Sequence, residues 1–125
     1  MKIAVASTDS KTVNQPFGKT PQFLIIEVMD NGSFEIIETR DNNPNKDKGE
    51  TQEDKETPMA QSVRMLLDCE AVFSVKFGIG GYNELAAHDT HPYQTDKIIE
   101  DAIKGYLRYK AADAKAAQQS KGKKK

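Results

Sequence analysis

Few residues in this chain can ligate a soft or borderline metal: Cys69, His88, His91 and the methionines. An iron–sulfur cluster is held by about four thiolates, so a single cysteine cannot assemble one. One or two of these side chains, helped by backbone amides, could still dock a cluster made elsewhere. Cys69 lies between a helix expected to end at Leu67 and a strand expected to start at Ala71. A lone cysteine in that setting is more often a small buried apolar residue than a ligand. His91 precedes Pro92 in a segment placed near a sheet end, where its ordinary role would be to bond nearby carbonyls. His88 falls at a helix end, where a solvated cation suits the dipole.

Two further segments could hold an anion through backbone N–H groups. One is Ser7-Thr8-Asp9-Ser10, and the other is Gly78-Ile79-Gly80-Gly81. Glycine lets a ligand approach the main chain, and the first amides of a helix favour negative charge. The competing reading is that these glycines only turn the chain. The pattern lacks the Gly-Lys-Ser/Thr ending of a P-loop and the spacing of Gly-x-Gly-x-x-Gly, so neither a P-loop nor a dinucleotide site is indicated. Ser7, Thr8 and Ser74 have no histidine–carboxylate motif beside them, and no catalytic residue is expected.

The elements that must position these groups follow from apolar periodicity. Residues 2–7 form a β-type apolar run that reads as a central strand. Residues 14–21 contain two prolines and a glycine and form a loop. Residues 22–29 and 33–40 are strands joined by Asp30-Asn31-Gly32, where Asn-Gly signals a hairpin. Residues 41–56 are nearly devoid of apolar side chains, so a mobile connection is expected at about 42–56. Thr57-Pro58 reads as a helix start, with Met59, Val63, Leu66 and Leu67 as its apolar stripe. Residues 71–75 form a second buried strand, and residues 82–87 a short helix with Leu85 and Ala86 inward. Residues 90–94 are expected to be an edge strand, since Pro92 suits an edge. Thr95 is placed as the cap of a last helix with a stripe of Ile98, Ile99, Ala102, Ile103, Tyr106 and Leu107. A strand, a hairpin and then alternating helix and strand give an α/β fold, a mixed sheet with helices on its faces.

The bulk properties exclude more than they select. The chain has 125 residues, a net charge of −1 and one cysteine. That supports one domain without an internal disulfide, and no global field draws nucleic acid or an anionic membrane. There is no signal-peptide pattern and no apolar run near ~20 residues, so a cytoplasmic protein is expected. The basic end, Lys121-Gly122-Lys123-Lys124-Lys125, reads as a solvated tail over residues 110–125.

Read together, these segments resemble the nitrogenase iron–molybdenum cofactor biosynthesis family, which includes NifX-like proteins and the C-terminal domain of NifB. The resemblance runs through Met1-Lys2-Ile3-Ala4-Val5-Ala6-Ser7-Thr8-Asp9, Phe17-Gly18-Lys19-Thr20-Pro21-Gln22-Phe23, Leu67-Asp68-Cys69-Glu70-Ala71-Val72, Gly78-Ile79-Gly80-Gly81 and His91-Pro92. It covers residues 1–109 as one domain. It implies an RNase H-like three-layer fold with a five-stranded mixed sheet. It also implies binding and carriage of the iron–molybdenum cofactor or an iron–sulfur precursor, passed between metallocluster donor and acceptor proteins by a monomer or weak homodimer. Ser7, Thr8, Phe17, Gly18, Gly78, Gly80, Gly81 and His91 are then the expected cofactor contacts, with His91 and Cys69 as metal ligands. Many members of the family have a histidine just before Phe-Gly, where this chain has Pro16.

Three functions compete. A cluster carrier uses the glycine turns and His91. A metal-free anion-binding or regulatory module of the same fold suits the proline at 16. A Mg²⁺ nuclease would need several converging carboxylates, and only Asp9 lies near the end of the first strand.

Overall fold

The computed structural model describes the backbone of residues 1–42 and 58–123, and the side-chain surroundings of residues 1–42 and 61–112. The expected mobile connection therefore lies outside the described residues except for Asn42, as do the cap at Thr57 and the side chain of Met59. Five strands and three helices alternate in the order β1 (Lys2–Ala6), β2 (Gln22–Val28), β3 (Phe34–Asp41), α1 (Pro58–Arg64), β4 (Ala71–Ser74), α2 (Ile79–Ala87), β5 (His91–Gln94) and α3 (Ile99–Lys123). The strands form one mixed sheet in the spatial order β3-β2-β1-β4-β5. β1 pairs antiparallel with β2 and parallel with β4. β4 pairs parallel with β5. The α/β class and the five-stranded mixed sheet are as expected.

Period-2 alternation splits the core into two halves. Ile3, Val5, Leu24, Ile26, Ala71 and Phe73 face α3, packing on Ile99, Ala102, Ile103 and Tyr106. Ala4, Ala6, Phe23, Ile25 and Val72 face the other way, onto Val63, Leu66 and Leu85 from the α1–α2 side. β1 is buried on both faces because helices cover both.

The hairpin forms as a three-residue loop. The Met29 carbonyl accepts the Gly32 N–H at 2.9 Å, and the Met29 N–H donates to the Ser33 carbonyl at 2.8 Å. Gly32 has φ of 90°, a conformation that disfavours a side chain. The pairing of β2 with β3 slips between Ile25 and Ile26, which leaves Ile37 between the pairs Ile25–Glu38 and Ile26–Ile36. Ile36 and Ile37 are both exposed on this edge strand.

Several local expectations change. α1 stops at Arg64, so Leu67 falls in the following turn and is 41% exposed instead of continuing the stripe. α2 begins at Ile79, three residues before the expected start, which moves Gly80 and Gly81 into a helix. Ala86 is exposed, and Gly81 joins Leu85 as the buried side of α2. Thr95 does not cap α3, since its hydroxyl oxygen accepts the Lys97 N–H at 3.3 Å in the turn ahead of that helix. Ile98 is an exposed bridge partner of Thr12, not part of the buried stripe.

Candidate functional site

β1 and β4 run parallel, and their carboxyl ends open side by side onto two loops and the start of α2. Such ends are where open α/β sheets place ligands. Ser7 leaves β1 fully buried. Its hydroxyl donates to Asp9 Oδ1 at 3.1 Å and accepts the N–H groups of Asp9 and Ser10. Asp9 Oδ1 also accepts the N–H groups of Lys11 and Thr12 at 2.9 and 2.8 Å. Those two amides, that of Thr12 foremost, hold the carboxyl below its ordinary range. The Thr8 N–H donates to Asn14 Oδ1 at 3.1 Å. The polar groups of this turn are thus largely spent on the turn itself, with Ser10 held at φ of 61°.

The second loop is anchored from inside. Phe17 is completely buried, with its ring 5.5 Å from Phe23 and 5.6 Å from Phe77. Its N–H donates to the Lys76 carbonyl at 2.9 Å. Ser74, also fully buried, donates from its hydroxyl toward the carbonyls of Gln15 and Lys76 and so ties the end of β4 to the same loop. Gly18 is exposed at the tip. Phe17 therefore props the rim from below, while Gly18 forms part of its surface.

The N-terminus of α2 is the third component. Gly78 is the N-cap, with φ of −76° and no side-chain cap. That conformation is open to any residue, and a Cβ at Gly78 or Gly80 would meet nothing within 4 Å. Neither turning nor packing requires glycine at these two positions. What glycine does provide is unobstructed access to the first amides of a nine-residue helix. Ile79 between them is 81% exposed, and Tyr82 is half exposed with its ring nearly perpendicular to that of Phe77.

The two expected metal ligands lie elsewhere. His91 opens the expected edge strand, β5, opposite Ala71, at the amino ends of the parallel strands and away from the glycine turn. The cause is strand direction: α2 carries the chain back across the sheet before β5 begins. The His91 ring sits 5.0 Å from Tyr109 and 5.9 Å from Tyr106, on the α3 side. Cys69 is 4% exposed in the opposite half of the core, with Leu66 and Val72. Burial pushes its thiol up to about 12, with the Asp68 carboxylate adding to the effect. A neutral, buried thiol is a poor metal ligand. Among the described residues no three His, Cys, Asp or Glu side chains gather around a common point.

The sequence model described as dinitrogenase iron-molybdenum cofactor matches residues 1–109. This chain belongs to the dinitrogenase iron-molybdenum cofactor family. Its domain is 30% identical over 108 residues to the FeMo cofactor biosynthesis protein NifB of Azotobacter vinelandii, covering 85% of this chain and 21% of that protein. It is 29% identical over 101 residues to NifB of Frankia alni, covering 81% and 20%. The chain thus spans about a fifth of the length of these curated relatives. Its fold is similar to that of the apo form of the orange protein from Desulfovibrio gigas, with a TM-score of 0.60 and 18% identity over 86% of this chain and 87% of the other. Another solved structure shares the fold, with a TM-score of 0.62 and 14% identity over 86% of this chain and 90% of the other.

Of the expected cofactor contacts, the structure brings Ser7, Thr8, Phe17, Gly18, Gly78, Gly80 and Gly81 to one end of the sheet and leaves His91 at the other. Sequence reasoning missed Ile79, Tyr82 and Phe77, which form the apolar surround of the α2 amides. An isoleucine flanked by glycines was the available signal, since an aliphatic side chain in a glycine turn has nothing of its own chain to pack on. No helix among the described residues is long and apolar enough to cross a membrane.

Proposed function

We propose that this domain binds and carries an iron–molybdenum or related metal–sulfur cluster during cofactor biosynthesis, as a cytoplasmic carrier between donor and acceptor proteins and without catalysing a reaction of its own. The observation that carries the reading is the N-terminus of α2. Gly78 and Gly80 bare its amides where neither backbone conformation nor packing calls for glycine, beside an Ile79 side chain exposed to 81%. A metal–sulfur cluster is an anion with large polarisable sulfur faces. Helix amides offset its charge, and the apolar side chains of Ile79, Tyr82 and Phe77 suit its faces. Family membership over residues 1–109 supports the same cargo. We read the strand order β3-β2-β1-β4-β5 as an RNase H-like arrangement.

A second reading is a metal-free module for a small anion or for regulation. It is favoured by Pro16 ahead of Phe17 and by the separation of Cys69 from His91. Anaerobic titration of the apo-protein with an iron–molybdenum–sulfur cluster, followed by desalting and metal analysis, tests the carrier reading. The expected result is about one cluster retained per chain, reduced in Gly80→Leu. Loss in Gly80→Leu with retention in His91→Ala places the cargo at α2, and the reverse places it at His91. No retained metal in the unsubstituted protein would sink the carrier reading and leave the metal-free module.

A further inference from the structure

A separate cleft of about 280 Å³ lies on the α3 face, between the outer strand β5 and the first half of α3. Tyr93 forms one wall, Thr95 and Lys97 close one end, and Lys104, Gly105 and Arg108 come from α3. Asp101 is the one carboxylate in the lining. Among the described residues, Lys97 and Arg108 make no ion pair, while Lys104 meets Glu100 at 3.6 Å. Lys104 and Arg108 stand four apart on one helix face, a like-charge pair that is unfavourable in an isolated helix. The hydroxyl of Tyr93 makes no hydrogen bond among the described residues. That of Thr95 accepts from the Lys97 N–H, which leaves its own proton free to donate.

Gly105 is the second observation. It sits inside α3, where glycine is a poorer helix former than alanine. A Cβ there would lie 3.0 Å from Tyr93 Oη, a tight contact from which the phenol would have to shift by a few tenths of an ångström. The glycine therefore leaves room for the phenol hydroxyl close against α3, in the lining of the same cleft as the three cations.

We propose that this cleft binds a small tetrahedral oxyanion of the phosphate type, free or as the monoester of a small molecule. Lys97, Lys104 and Arg108 supply the charge, and Tyr93 and Thr95 supply neutral donors. The cleft of about 280 Å³ has room for such a group and for a small organic moiety attached to it. The site lies across the sheet from α2, so it is independent of the cluster reading.

Isothermal titration calorimetry at low ionic strength tests it, with inorganic phosphate, molybdate and glycerol 3-phosphate as separate probes and chloride as the reference anion. Calorimetry is preferred to thermal shift because phosphate stabilises folded proteins by exclusion alone. The expected result is one site per chain for at least one probe, weakened tenfold or more in Lys97→Gln/Arg108→Gln. Both substituted side chains are exposed, so the fold is retained, which circular dichroism verifies. Tyr93→Phe should weaken binding several-fold, while Arg108→Lys should keep most of it. Tighter binding of glycerol 3-phosphate assigns a monoester, and tighter binding of phosphate or molybdate assigns the free oxyanion. Heats no larger than those of chloride, or binding unchanged in the double variant, would overturn the proposal.

Discussion

Single side chains in this molecule act through their surroundings more than through their type. Cys69 shows this most directly, because the thiol that looks reactive in the sequence is buried and held protonated. An ordinary thiol titrates near 9, and this one is pushed up to about 12. Its unfolded form ionises first, so the contribution of Cys69 to stability is full below pH 9 and declines as pH rises toward 12. Alkylation by iodoacetamide at pH 8 should be at least about a hundredfold slower in the native protein than in urea, given the lost thiolate fraction. Equal rates would mean that the thiol is accessible and ionised. Gly80 behaves in the opposite sense. Its side-chain direction is open, so Gly80→Ala should raise stability by about 0.5 kcal/mol through helix propensity. A thermal melt that instead falls would show a close neighbour at that position. Gly80→Leu should fold equally well, so a loss of cluster retention in that variant would report on binding and not on unfolding.

At the level of elements, the hairpin was fully legible because its signal is local. Asn31-Gly32 needs only one positive φ, and Gly32 takes it. Gly32→Ala should cost about 1 kcal/mol, read as a lower urea midpoint at unchanged slope. The start of α2 was not legible. Two glycines within three residues have poor helix propensity, so residues 78–81 read as a turn, and burial of Gly81 and Leu85 against the sheet overrides that preference. The end of α1 was missed for a related reason. Leu67 fits a helical stripe, but the chain must turn there to deliver Cys69 and Glu70 to β4, and the backbone of Glu70 is taken by Lys2.

Across the whole molecule, Arg40 joins the sheet edge to the α1 side. Its guanidinium donates to both oxygens of Asp68 at 2.8 and 2.9 Å, to Glu38, and to the Met65 carbonyl at 2.6 Å. That pairing holds the Asp68 carboxyl well below its ordinary value of 3.8. A depressed carboxylate contributes stability that is complete above its unfolded value and is lost as pH falls through the folded one. Unfolding free energy should therefore decline from about pH 4 downward. Arg40→Gln should be less stable than the unsubstituted protein at pH 7, and the gap should narrow toward pH 2. Because Asp68 is 44% exposed, the gap should also narrow in 1 M NaCl. A gap that is independent of pH and salt would assign the role of Arg40 to packing instead.

By itself the sequence determined the α/β class, the order of elements, the hairpin and the family, because each rests on local periodicity, turn chemistry or short motifs. The segments at residues 7–10 and 78–81 follow β1 and β4, strands that run the same way, which is why both lie at one end of the sheet. Only the tertiary structure decided that the side chains of His91 and Cys69 point apart and away from the glycines. Strand direction puts both residues at the amino ends of β4 and β5, and the turn ahead of β4 leaves the Cys69 thiol in the α1–α2 half of the core while the His91 ring lies against α3. The cationic cleft of Lys97, Lys104 and Arg108 was likewise decided there. It needs an edge strand laid against a helix face, and no one-dimensional spacing reports that contact.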